Sequence, residues 1–135
     1  FPMKYILNFL FHVPFPGNEK PTLDKSNFLP TSVNEGTFKI FMCSVLTGSE
    51  PFQFMWSHNG NPLKVSKNIL VENNDKFSLL KLHNILKEYS GNFTCEVRNR
   101  FGRDFATLQL NVKGYNQGLD VALLFLFFTK ERVFF

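Results

Sequence analysis

The chain has 135 residues, 44% of them hydrophobic, with a formal charge of +4 and a pI near 9.2. That length supports one domain with a sizeable core and excludes two. The cationic excess is small and scattered, so it excludes the electrostatic footprint of a nucleic-acid binder and serves solubility.

Residues 1–20, FPMKYILNFLFHVPFPGNEK, are aromatic and rich in proline. Met3-Lys4 followed by the apolar stretch 5–13 looks like the start of a secretory signal. Asn8 and His12 interrupt that stretch, however, and no small-x-small cleavage site follows. The opening Phe1 fits a fragment. A third reading, preferred here, is translated non-coding sequence beside an exon, because pyrimidine-rich tracts encode Phe, Leu, Pro and Ser. The chain's 18 Phe are concentrated accordingly: four lie in residues 1–20 and five in 115–135. Both flanks are expected to stand outside a domain spanning 21–114.

Within 21–114, turn residues punctuate short runs of alternating hydrophobicity. Asn34-Glu35-Gly36 marks a turn before a predicted strand over 37–46. A loop at 47–51 leads to a strand over 52–58. Asn59-Gly60-Asn61-Pro62 is a tight turn, with Asn-Gly a strong short-range hairpin signal. Predicted strands follow at 68–72, 76–83, 92–99 and 103–112, with a turn at Asn73-Asn74-Asp75. No helical period is sustained. Beyond the last strand, 121–128 (VALLFLFF) is apolar. Its eight residues fall short of the about 20 that a spanning helix needs. A membrane is therefore expected only through parts of the protein absent from this chain.

Cys43 and Cys95 are the only cysteines, and Trp56 stands between them as the only tryptophan. Zinc is not indicated, since it favours closely spaced Cys pairs. The order Cys…Trp…Cys resembles the core pin of an immunoglobulin sandwich, in which a disulfide bridges two sheets and an indole packs on it. The resemblance implies an all-β, two-sheet Greek-key fold, a Cys43–Cys95 bond and an oxidising compartment. Leu80-x-Leu82-x-x-Ile85 followed by Tyr89-x-Gly91-x-Phe93-x-Cys95 resembles the intermediate-set (I-set) pattern. Period-2 spacing turns Leu80, Leu82, Phe93, Cys95 and Val97 inward. Ala106, Leu108, Leu110 and Val112 alternate inward on the last strand. Trp56, Phe93 and Leu82 are thus expected to pin the core.

Further strings bring the chain close to the arthropod Down syndrome cell adhesion molecule (Dscam) family. They are Asn34-Glu35-Gly36-Thr37, Pro51-Phe52-Gln53-Phe54-x-Trp56, Asn59-Gly60-Asn61-Pro62-Leu63, Phe77-Ser78-Leu79-Leu80, Ser90-Gly91-Asn92-Phe93-Thr94-Cys95, Asn99-Arg100-Phe101-Gly102, whose Asn and Gly shape a turn, and Val112-Lys113-Gly114. The resemblance covers about 21–114. It implies an extracellular recognition module of a cell-surface receptor, binding a second copy of itself in homophilic adhesion. Exons spliced alternatively from a tandem array would explain untranslated-looking flanks.

Three positions depart from the pattern. Phe93 replaces the corner tyrosine, and Tyr89 replaces an expected aspartate. Lys39 falls on the inward parity of its strand, so either its stem snorkels or the strand bulges. Gly91 is expected where a positive φ or a close backbone approach is needed.

Asn92-Phe93-Thr94 is the only N-glycosylation sequon, with Asn92 facing outward. Arg98, Arg100 and Arg103 gather around Phe101 near the last hairpin. They form either a solvated turn or a contact patch with Glu96 or Asp104 as acidic partners. His12, His58 and His83 have no Cys or carboxylate at ligand spacing and are read as lone exposed side chains. No catalytic residue, metal site or cofactor motif is expected. The competing reading is a structural I-set domain of an intracellular muscle or cytoskeletal protein; the Cys pair and the sequon weigh against it.

Overall fold

The computed structural model describes residues 18–114. The expectations placed on 1–17 and 115–135, His12 included, lie outside the described residues. Among the described residues nine strands form: β1 (Thr22–Leu23), β2 (Thr31–Asn34), β3 (Lys39–Thr47), β4 (Gln53–His58), β5 (Asn61–Pro62), β6 (Ile69–Asn73), β7 (Phe77–Leu82), β8 (Gly91–Asn99) and β9 (Gly102–Lys113). They make a four-stranded sheet, β1-β3-β7-β6, and a five-stranded sheet, β2-β9-β8-β4-β5. Only the β2–β9 pair is parallel among the described strands. The expected two-sheet β-sandwich is the fold, and the six predicted strands lie within two residues of their observed bounds. The short β1, β2 and β5 carry too few residues for an alternating pattern, and they were not anticipated. Neither was the single 3-10 turn at Lys87–Tyr89.

Local chemistry explains the turns. Asn59 and Gly60 both take positive φ, 51° and 84°, closing β4 onto β5 as a two-residue hairpin. The Asn59 side chain then reaches across to β8, where its Oδ1 accepts the Asn92 N–H at 2.9 Å. Gly91, with φ 133°, lies under that side chain, and a Cβ there would stand 2.2 Å from Asn59 Oδ1. Both reasons for a glycine at 91 therefore operate.

The sheets meet over a core of inward residues from β3, β4, β7, β8 and β9. Cys43 on β3 and Cys95 on β8 are bonded across the two sheets. Trp56 lies beside Cys95 in register, and Phe28 stacks on its indole at 6.3 Å. Leu82 and Phe93 are buried with them.

One buried polar chain crosses this core. Trp56 Nε1 donates to Ser78 Oγ at 2.9 Å, and Ser78 Oγ donates to Asn73 Oδ1 at 2.6 Å. Ser78 is fully buried opposite Cys43. Its small side chain leaves room for the indole, and its hydroxyl accepts a donor that cannot be left unpaired.

Lys39 opens β3 on the inward parity, yet the β3–β7 register runs unbroken from Lys39↔Leu82 to Ser44↔Phe77. There is no bulge. The lysine snorkels instead, half-buried, with its ammonium 6.0 Å from the Phe41 ring centroid.

Ser78→Ala should leave the indole N–H buried without an acceptor and cost about 1–3 kcal/mol. Combining it with Trp56→Phe should cost clearly less than the sum of the two single changes, because the second change removes the orphaned donor. Denaturant midpoints of the four proteins measure this coupling.

Candidate interaction surfaces

Asn99 organises the β8–β9 hairpin. Its Oδ1 accepts the N–H groups of Phe101 and Gly102 at 2.8 and 3.1 Å. Its Nδ2 donates to the carbonyls of Glu19 and Ser49 at 2.7 and 3.0 Å. One carboxamide thus holds the hairpin tip, the β3–β4 loop and the segment before β1. The sequence pointed to Asn99 as a turn residue only. Its long-range donor pair carries no local signal.

The four residues singled out near this hairpin separate into two groups. Arg98 and Arg103 face each other across β8 and β9 on the outer face of the five-stranded sheet. They bracket Glu96, at 3.0 and 3.6 Å. Arg103 also lies over the Phe105 ring, 5.5 Å from its centroid. Arg100 and Phe101 sit on the turn itself and stack on each other at 5.9 Å. Of the two acidic partners expected, Glu96 serves and Asp104 does not. Asp104 has the inward parity of β9, alternating with outward Arg103 and Phe105. It accepts the Leu23 N–H at 2.9 Å and pairs with Lys25 at 3.1 Å, so it anchors β1.

The Asp104 carboxyl has a lowered pKa. Partial burial pushes it up, but the Leu23 N–H, the Lys25 ammonium and the Phe105 N–H together outweigh that.

His58 also departs from the lone exposed reading. It is half-buried, lies opposite Phe93 in register and stacks on that ring at 4.3 Å. Its Nε2 is 3.3 Å from the Ser90 carbonyl. Where the corner tyrosine is replaced by Phe93, an imidazole reaches the corner backbone from the neighbouring strand. Tyr89 ends the 3-10 turn and packs half-buried against the core. His83 is exposed and stacks on Phe38 at 6.5 Å.

The outer face of the four-stranded sheet was not singled out from the sequence. Register places Ile40, Lys81 and Leu70 in one cross-strand row, and Met42, Leu79 and Glu72 in the next. Ile40, Met42 and Leu70 are 46%, 40% and 40% exposed. Lys81 and Glu72 pair diagonally within the patch. A solvated antiparallel face ordinarily alternates to polar residues, and this one instead exposes adjacent apolar side chains. The signal was present in Ile40 and Met42, the outward members of β3, but adjacency to Leu70 exists only once β3, β7 and β6 pair.

Among the described residues, no group of three His, Cys, Asp or Glu could hold a metal ion. No described helix is long and apolar enough to cross a membrane.

Asn99→Ala should lower stability by about 2–4 kcal/mol, from four hydrogen bonds at about 0.5–1.5 kcal/mol each with partial replacement by water. Asn99→Asp keeps the acceptor but turns an anionic oxygen onto the Glu19 and Ser49 carbonyls, so it should lose at least as much as Asn99→Ala. Chemical denaturation of both variants checks the ranking. For Asp104, a folded pKa below the unfolded value makes its contribution complete at neutral pH. That contribution is lost as pH falls below about 4 and through the lowered folded value. The stability gap between parent and Asp104→Asn should therefore be widest near pH 7 and narrow on acidification, as urea titrations across that range would read.

The immunoglobulin I-set domain family model matches residues 21–112. The cell adhesion molecule DSCAM of Rattus norvegicus is 29% identical over 79 residues, which is 58% of this chain and 4% of that protein. DSCAM of Homo sapiens matches over the same extent. Titin of Drosophila melanogaster is also 29% identical, over 84 residues or 62% of this chain, a vanishing share of its own length. Among solved structures, the Dscam1 Ig7 domain, isoform 5, superposes with a TM-score of 0.67 at 26% identity, covering 72% of this chain and all of that one. The titin I-band fragment I67-I69 shares the fold, with a TM-score of 0.65 at 22% identity over 70% of this chain and 33% of that one. The resemblance to Dscam is supported by both sequence and structure, without restriction to arthropods, since the DSCAM relatives named here are vertebrate. The family and these relatives are adhesion or structural proteins and not enzymes. With its two sheets, its Cys43–Cys95 pin and the family match over most of its length, the chain belongs to the immunoglobulin I-set domain family.

Proposed function

We propose that this chain is an extracellular recognition domain of a Dscam-like cell-surface protein, with 21–114 as its folding unit and a second copy of itself as its partner. The observation that carries the self-recognition is the apolar four-stranded face. Two copies meeting about a two-fold axis place residue i against j and j against i. On this face Lys81 and Glu72, paired within each copy, can exchange partners across the axis while Ile40, Met42, Leu70 and Leu79 are covered. The patch is complementary to itself.

The β8–β9 hairpin suits that role less well. Its cations would meet their own copies there, and Glu96 already serves both Arg98 and Arg103. Arg100 and Phe101, on the turn itself, fit a different partner, one that brings a carboxylate.

The intracellular structural reading draws on the titin likeness. The Cys43–Cys95 bond favours the extracellular one, because such bonds persist in oxidising compartments and are rare in the cytosol.

Beads carrying the full chain should cluster. Ile40→Asp and Met42→Asp, both at exposed positions, should abolish clustering with the melting temperature nearly unchanged. Arg100→Glu and Phe101→Ala should leave clustering intact. The reverse pattern would move the interface to the hairpin, and a folded parent that never clusters would defeat self-recognition.

A further inference from the structure

We propose that Asn92 carries an N-linked glycan, and that this glycan covers the polar end of the five-stranded face while leaving the four-stranded face free. The proposal rests on the extracellular reading above.

The Asn92-Phe93-Thr94 sequon supplies the acceptor carboxamide and the hydroxyl residue two positions on. Acceptor chemistry also needs a side chain with a path to solvent in the finished fold. Asn92 has one. It is exposed on β8, between the buried Phe93 and the close-approach Gly91. Its backbone is fully engaged: the N–H donates to Asn59 Oδ1, and the carbonyl accepts the Asn59 N–H at 2.8 Å. Its carboxamide makes no hydrogen bond to a described residue. A sugar on Nδ2 would therefore displace nothing.

The surroundings are matched to a hydrated oligosaccharide. Asn92 lies opposite Gln109, and the next row along the face is Ser57, Thr94 and Thr107. Thr94 and Thr107 share a hydroxyl hydrogen bond at 2.8 Å, leaving lone pairs toward solvent. On β4, β8 and β9 every side chain in these two rows is a hydroxyl or a carboxamide, and Pro62 of β5 closes the second row at the sheet edge. The apolar members of the face, Met55 and Phe105, begin one row farther on, beside Glu96. A glycan rooted at Asn92 thus has polar surface on β8 and β9 to extend over.

The position also separates the two faces of the sandwich. Asn92 points away from the core on the five-stranded sheet, whereas Ile40, Met42 and Leu70 point away on the other. The glycan would obstruct approach to the β4–β8–β9 surface at its polar end and is rooted on the face opposite the four-stranded one. It would bias a symmetric contact toward that face, by exclusion and not by attraction.

The test directs the full 135-residue chain into the secretory pathway of cultured animal cells behind a secretory leader. The protein is recovered from cells and medium together. Enzymatic release of N-linked glycans should lower the mass of the parent and of Thr94→Ser, and should not change Asn92→Gln or Thr94→Ala. Release also converts a glycan-bearing asparagine to aspartate, so peptide mapping of the parent should find the conversion at position 92. That readout decides the matter even if a variant fails to fold. A parent of unchanged mass, or conversion absent at 92, overturns glycosylation while leaving the disulfide and the extracellular reading standing. Reduced thiols at Cys43 and Cys95 in chain isolated from its natural source would instead defeat the extracellular reading itself. Bead clustering should be the same for glycosylated and deglycosylated parent. Clustering that appears only after glycan release would overturn the assignment of the free face.

Discussion

The sandwich depends on one crossing point, where the Cys43–Cys95 bond joins β3 to β8 and Trp56 packs beside it. The bond spans 52 positions in sequence. In the chain-entropy account, closing a loop of that length restricts the unfolded ensemble by several kcal/mol, about 4. It joins the central strands of both sheets, so neighbouring strands inherit their depth from it. Trp56 adds a second tie between sheets through Ser78, and Asn73 completes the donor sequence at the sandwich edge. A pair of antiparallel sheets without such a crossing would be held by apolar contact alone, which fixes spacing more firmly than register.

From that centre, polar side chains fix the ends. Asn59 ties the β4–β5 hairpin to β8, Asn99 ties the β8–β9 hairpin to the β3–β4 loop, and Asp104 ties β1 to β9. Each is a short side chain that hydrogen-bonds to the backbone: Asn59 and Asp104 by accepting an N–H, Asn99 across to the loop by donating to a carbonyl. His58 belongs to the same set. Its ring fills the corner beside Phe93 and meets the Ser90 carbonyl, so the loss of a tyrosine hydroxyl there is partly offset by a group from another strand. These ties hold the outer surfaces at defined orientations, which is what a recognition module needs from its frame.

The two outer faces of the sandwich are chemically different. One gathers Ile40, Met42, Leu70 and Leu79 around a single opposite-charge pair. The other grades from a row of hydroxyls and carboxamides near Asn92 to arginines and aromatic rings near the hairpin. Its arginines are already committed, Arg98 and Arg103 to Glu96 and Arg103 also to Phe105. Uncommitted apolar area on the first face and committed charge on the second are the chemical difference on which the proposed division of roles rests.

Much of the fold was legible in the residues themselves. Period-2 alternation marked every long strand, because each has one face in the core: Leu80 and Leu82, Phe93 to Val97, Ala106 to Val112. Asn59-Gly60 announced its hairpin, and Gly91 its close contact, since those backbone conformations admit few other residues. The lone Cys, Trp and Cys, in that order, named the sandwich. Contacts between distant segments were not legible. Two-residue β1 and four-residue β2 are strands only because β3 and β9 offer them an edge. Asp104 reads as a surface acid until Leu23 and Lys25 arrive beside it, and His58 reads as exposed until β8 brings Phe93 under its ring. The four-stranded patch shows the same limit. Local sequence determines which residues point outward, because alternation is a property of one strand. Whether outward residues form a surface depends on which strands become neighbours and in what register, and only the folded chain decides that.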